Sequence, residues 1–200
     1  MPRHPDPDLE ERILKAAHTL WKRGGERALT MRAVALAAHT NTPAVYRRFR
    51  DRQDLIRGLL RLIAAHIRQH FEAGETVEGM AEAYVEYALR MPHEYELFYN
   101  HVGALFPPKN SAKPRPIRET RPNFAFVEDR LAGRLGGKAA DHTQLALALW
   151  AILHGTSMLL VSKAIPEGHE DELRRACRSA VKALLDGVSQ FTGTKAAERA

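Results

Sequence analysis

One cysteine, Cys177, stands among 200 residues, so the chain alone builds neither an internal disulfide nor a cysteine-based zinc site. The start, Met1-Pro2-Arg3-His4-Pro5-Asp6, has no apolar h-region. A secretory signal is therefore not expected, and a cytoplasmic, reducing location is. No segment sustains period-2 alternation and there is no internal repeat, which argues against sheets and solenoids. Gly-x-Ser-x-Gly, Gly-x-x-x-x-Gly-Lys, Gly-x-Gly-x-x-Gly and His-Glu-x-x-His are all missing. An enzyme reading is thus left without a catalytic residue to name. Formal charge is missing from the 21 residues between Asp141 and Lys163, near the length of a membrane span. That stretch is broken by His142, Thr143, Gln144, His154, Gly155, Thr156 and Ser157 and has no flanking aromatic belts. The expectation is a helix buried in a core or a subunit interface, with no membrane partner.

What the chain does have is ordinary globular composition, 44% hydrophobic and 27% charged, which excludes wholesale disorder. Its excess charge is unevenly placed. Thirty basic against 24 acidic side chains give +6, and residues 1–65, with 13 basic and 7 acidic, carry all of it. Regional positive charge suits a polyanion partner; a solvated basic surface is the plainer alternative.

The pattern is helical throughout. A first helix carries the stripe Ile13, Leu14, Ala17, Leu20 and Trp21, with a capping box expected from Asp8 and Glu11 and a stop at Gly24-Gly25. Thr30 can cap a short second helix, Asn41 a third with Pro43 in its first turn, and Asp51 a fourth running to about Gly74. A fifth repeats Val77, Met80, Ala81, Tyr84, Tyr87, Ala88 and Met91 and ends at Pro92; a sixth spans about 93–106. Residues 107–122 hold five prolines and are expected to form a loop. Helices near 123–135, 141–164 and 169–191 complete an all-α chain.

Residues 30–49 pair two short helices across a tight turn, with Ala35 and Ala38 small enough for a close crossing. A helix-turn-helix needs this, and its second helix can enter a major groove. Thr42, Ala44, Tyr46, Arg47 and Arg48 are expected to be exposed there, and Val45 and Phe49 to face inward. A half-buried core tyrosine is the alternative for Tyr46, and solvated side chains for Arg48 and Arg52.

With Ile13-Leu14-Lys15-Ala16-Ala17, Gly24, Thr30-Met31-Arg32-Ala33-Val34-Ala35, Val45-Tyr46-Arg47-Arg48-Phe49 and Asp51-Arg52-Gln53-Asp54-Leu55 in order, residues 10–60 resemble the TetR family of transcriptional regulators. The chain departs from it at the turn, where His39-Thr40 replaces the usual Gly-Val. His39 can take positive φ at some cost, histidine being among the side chains enriched there. The resemblance implies base or methyl contacts from Arg32, Thr42, Pro43 and Arg47. It implies phosphate contacts from Thr30, Tyr46, Arg48 and Arg52, and Ala44 belongs to the same face. It further implies a three-helix DNA-binding domain over 1–54 and a helical ligand-binding and dimerisation domain over 55–200. The expected function is that of a repressor, binding a double-stranded pseudo-palindromic operator as a homodimer and released by an unknown small-molecule effector, with no cofactor.

In the distal part, Trp150-Ala151-Ile152-Leu153-His154-Gly155 resembles the Trp…His-Gly signature of one C-terminal subfamily. Candidates for an effector pocket are Tyr84, Tyr87, Tyr95, Phe98, Tyr99, Phe124, Trp150, His154 and Met158, with Phe126 beside them; for each, ordinary core is the alternative. His154 is first read as a core histidine with a hydrogen-bond partner. The last two helices suit a symmetric four-helix dimer interface. His66 and His70 have a chelating spacing but no third ligand fixed nearby, so no metal is expected. The competing functional reading is a basic helical interaction module that binds polyanions without sequence preference.

Overall fold

A computed structural model describes residues 6–105, 115–121 and 123–197. Ten α-helices follow one another among these residues, with two short 3₁₀ turns at Val102–Leu105 and Ala139–His142 and no strand. They are α1 (Leu9–Ala28), α2 (Met31–Ala37), α3 (Thr42–Arg48), α4 (Arg52–Ala73), α5 (Val77–Arg90), α6 (Pro92–His101), α7 (Ile117–Thr120), α8 (Phe124–Leu135), α9 (Thr143–Val161) and α10 (Glu170–Ala197). The chain divides into two compact units, one drawn from residues up to Ala65 together with 93–110, the other from 66–92 and 111–200. The first unit thus reaches past the expected boundary at residue 54 and takes in α6.

In the first unit, α1 buries Ile13, Ala16, Ala17 and Trp21 along one stripe. The capping box expected of Asp8 and Glu11 does not form, because Asp8 makes no side-chain cap. Asp6 replaces it, accepting from the Asp8 N–H at 3.0 Å and pairing with Arg12 at 2.7 Å. The break expected at Gly24-Gly25 is present as two non-helical residues, Gly25 at φ 58°, after which one more turn runs to Ala28. Leu55, Ile56, Leu59, Leu60 and Ile63 of α4 are fully buried, each removal from water being worth about 1.5–3 kcal/mol. At Gly58 a Cβ would stand 2.9 Å from both Leu14 Cδ2 and Phe49 Cε1, so α4 lies on α1 and α3 with no room for a side chain.

α6 is fastened to α1. Trp21 Nε1 donates to the His93 carbonyl at 3.0 Å, and His18 Nε2 lies 2.7 Å from Oε1 of Glu94, a carboxylate with no solvent exposure. The 3₁₀ turn after α6 ends the stretch expected to be helical to about residue 106.

In the second unit α5, α9 and α10 pack against one another, with α8 laid beside α9. Thr76 caps α5 through the Gly79 N–H at 3.0 Å. The Arg68 guanidinium sits 3.8 Å over the Phe126 ring. Buried Glu128 accepts from Thr143 Oγ1 at 2.5 Å and faces Arg118 at 3.4 Å. The expected loop over 107–122 lies mostly outside the described residues, but Ile117–Thr120 within it form one helical turn, a correction to the loop expectation. Helix α9 is uncharged and, with the turn before it, long and apolar enough to cross a membrane by length and composition; only a third of that window is buried. Its buried side is Ala146, Leu149, Leu153, Thr156, Ser157 and Leu160. Ala151, Gly155, Met158 and Leu159 are exposed one and two turns apart on another side.

Candidate nucleic-acid interface and effector cluster

The interface is built from caps upward. Thr30 Oγ1 accepts from the Ala33 N–H at 3.1 Å and Asn41 Oδ1 from the Ala44 N–H at 2.9 Å, so both short helices start where their sequence signals lie. Between them, the Thr40 N–H reaches the Ala35 carbonyl at 2.9 Å and the His39 N–H the Leu36 carbonyl at 3.1 Å. These paired bonds form a Schellman closure, with His39 at φ 52° in the place glycine usually takes. Val34, Ala35, Ala38, Val45 and Phe49 are buried and lock the two helices at their crossing.

Outward, α3 presents Pro43, Tyr46, Arg47 and Arg48 exposed and Thr42 half-buried, with exposed Arg32 and Thr30 on α2 and its cap. Tyr46 is 51% exposed, which sets aside a core role. Ala44 is a correction. It is 4% exposed and its N–H is engaged by the cap, because on a seven-residue helix the buried stripe is wide enough to take both Ala44 and Val45. Arg52, expected at a phosphate-contacting position, is engaged within the chain. Its Nε donates to the Leu29 carbonyl at 2.9 Å, and its remaining donors reach the Glu26 carbonyl and carboxylate at 3.0–3.1 Å. A guanidinium so engaged ties the α1–α2 junction to the start of α4. Arg48 also has a protein partner, the Asp6 carbonyl at 2.9 Å, while Arg47 and Arg32 extend from the helices into solvent.

At the start of α4, Asp51 accepts from the Asp54 N–H at 2.7 Å as expected of a cap. Asp54 binds Arg57 at 2.9 Å and the Arg50 N–H at 3.2 Å. Arg57 first, then the Arg50 amide, hold the Asp54 carboxyl below its ordinary 3.8.

The aromatic candidates separate into two groups. Tyr84, Tyr87, Phe124, Trp150 and His154 belong to the second unit, where Phe71 stacks on Tyr84 with centroids 5.7 Å apart and Phe124 meets Trp150 at 6.2 Å. The Tyr84 hydroxyl lies 3.4 Å from His154 Nδ1, and burial pushes the His154 imidazole below its ordinary 6.5. A neutral ring there can accept from the tyrosine. Tyr95, Phe98 and Tyr99 belong to the first unit instead, packed on each other at 4.6 and 5.2 Å. Met158, expected in the pocket, is 38% exposed and lies one turn past His154 on the same face of α9, at the edge of its exposed apolar side. His70 Nδ1 is 2.9 Å from the His66 carbonyl, and its ring meets Tyr87 edge-on at 5.0 Å.

Sequence reasoning did not find Glu94. A buried acid beside His18, with Lys22 Nζ at 3.9 Å, is a tertiary arrangement with no local spacing to announce it.

A basic N-terminal unit presenting a capped recognition helix, followed by a helical unit with an aromatic cluster, defines the class of helix-turn-helix transcriptional regulators. Residues 13–59 match the bacterial regulatory proteins of the tetR family, and residues 77–186 match the tetracyclin repressor-like C-terminal domain. The chain belongs to the TetR family. No curated protein matches it in sequence. Among solved structures it is similar in fold to the multidrug binding protein EbrR complexed with imidazole (22% identity, 92% of this chain and 93% of that one, TM-score 0.62). A TetR family member from Streptomyces coelicolor A3 is likewise similar (22%, 89% and 98%, 0.62). So is a TetR variant from Acinetobacter baumannii AYE in complex with minocycline (17%, 90% and 96%, 0.59).

Proposed function

We propose that this regulator represses transcription by binding a pseudo-palindromic operator as a homodimer and leaves it when a small molecule occupies the second unit. The observation that carries the reading is the face of α3: Tyr46 and Arg47 stand exposed on a helix whose start, turn and underside are all fixed. A preorganised helix can spend its side chains on base edges and phosphates rather than on its own ordering. Arg32, Thr42, Pro43 and Arg47 read bases or methyl groups; Thr30, Tyr46 and Arg48 hold phosphates. Two copies related by a dyad place their recognition helices about 34–36 Å apart, in successive major grooves.

The second copy packs on α9 and α10. Ala151, Gly155, Met158 and Leu159 leave an uncharged face on α9 that water solvates poorly, and burying it against itself supplies the driving force. Tyr84, Tyr87, Phe124, Trp150 and His154 are proposed as the effector site, with His154 and Tyr84 as polar anchors in an apolar, aromatic setting. Two of the fold relatives were captured in complex with small molecules, malachite green for EbrR and minocycline for the Acinetobacter protein, and an aromatic effector suits the cluster here. The effector shifts operator occupancy only by its differential affinity for the two conformers.

The test is Arg47→Ala on the preferred duplex. Direct readout predicts a loss of about 1–3 kcal/mol with relaxed base preference. An equal loss on every sequence contradicts base reading by Arg47.

A further inference from the structure

Away from the aromatic cluster, the second unit carries a groove of about 510 Å³ between α5 and α10, with Leu153 of α9 in its floor. That volume is within the span usual for small-molecule sites. Its walls are opposite in sign. Glu78, Glu82 and Glu86 follow at four-residue steps on α5, as do Arg174, Arg178 and Lys182 on α10, so each row lines one helix face. Arg174 meets Glu86 at 3.4 Å. The lining holds Glu82 one turn before Glu86 on α5 and Arg178 one turn after Arg174 on α10.

The outer pairs are satisfied. Glu78 is held by Arg134 and Lys182 by Asp186, each at 2.5 Å. The middle pair is not closed: among the described residues, neither Glu82 nor Arg178 makes an ion pair or a side-chain hydrogen bond. Below them Ala81, Val85, Leu153, Cys177 and Val181 form a buried apolar floor.

We propose that this groove binds a small zwitterion with a hydrocarbon body, its ammonium end on Glu82, its carboxylate end on Arg178 and its methylenes on the floor. Each end gains a charge-assisted hydrogen bond, and the bidentate geometry of Arg178 suits a carboxylate. A ligand of one charge leaves the other wall uncompensated, and an apolar one leaves both. The proposal is independent of the aromatic effector site.

The experiment is calorimetric titration of the full chain with 4-aminobutanoate, 6-aminohexanoate and 8-aminooctanoate, beside hexylamine and hexanoate. At least one ω-amino acid is expected to bind once per chain, about tenfold or more tighter than either single-charge control. Glu82→Gln and Arg178→Gln are each expected to weaken it by about tenfold with the melting temperature unchanged, both groups being at the rim. Cys177, the only cysteine, reports occupancy separately: its reaction with a thiol reagent slows when the groove is filled. No binding by any of the three up to about 10 mM, equal binding of the controls, or binding indifferent to both substitutions overturns the proposal.

Discussion

At position 39 the chain places a histidine in the left-handed region, φ 52°, where the Schellman closure of α2 demands it. An L side chain there carries strain that glycine does not. His39→Gly is expected to raise the unfolding free energy by about 0.5–1 kcal/mol in a urea melt. A decrease would mean that the histidine ring contributes more than its backbone costs. His154 gives a pH signature of the second unit. Its folded pKa is lowered by burial, so the unfolded chain takes up a proton more readily than the folded one. Its contribution is complete above the ordinary value of 6.5 and is lost as pH falls through and below it. The melting temperature of the wild type is therefore expected to fall more between pH 7.5 and 5.5 than that of His154→Gln (about the range over which an ordinary histidine titrates). Parallel pH profiles would contradict a lowered His154.

Among the elements, α3 starts on one side-chain cap. Asn41→Ala removes the side-chain acceptor of the Ala44 N–H, leaving its 3.0 Å bond to the residue 41 carbonyl, and is expected to cost about 1 kcal/mol, read from thermal melts. Operator affinity is expected to fall with it, since the recognition helix then frays at the end that carries Thr42 and Pro43. The caps at Thr30, Asn41 and Asp51 were legible in the sequence because each is a local signal, read within three residues. So were the break at Gly24-Gly25 and the crossing at Ala35 and Ala38. Arg52 was not, because its partners Glu26 and Leu29 lie more than twenty residues away and only tertiary packing brings them together. Ala44 was misassigned for a different reason: one methyl group fits either side of a helix, so its type says little about its face. Glu94 and the joining of α6 to α1 share the difficulty of Arg52, since an acid buried beside a histidine looks like any surface carboxylate in sequence.

At the scale of the whole molecule, charge and apolar surface are segregated along the chain. The excess of six positive charges belongs to residues 1–65, while α9 offers an uncharged face with Ala151, Gly155 and Leu159 exposed. In the proposed function each of these surfaces is completed by a partner, one by a polyanion and the other by a second copy. A Cβ on Gly155 would meet no atom of its own chain, so Gly155→Arg is expected to leave the protomer folded and to convert a dimer to a monomer in sedimentation velocity. A variant that sediments as the wild type does would remove α9 from the interface. The aromatic candidates show the limit of sequence at this scale. Tyr84 and Trp150 look no different from Tyr95 and Phe98 in the chain, yet they belong to different units.

The central claim, sequence-specific recognition by a dyad of helix-turn-helix units, is tested most directly by selection from random duplexes at about 150 mM salt, where counterion-driven background is weak. The account predicts enrichment of an inverted repeat with half-sites about one helical turn or a multiple apart, lost in Arg47→Ala. Retention of all sequences alike, with binding that vanishes as salt rises, would contradict it and leave a basic surface that attracts any polyanion.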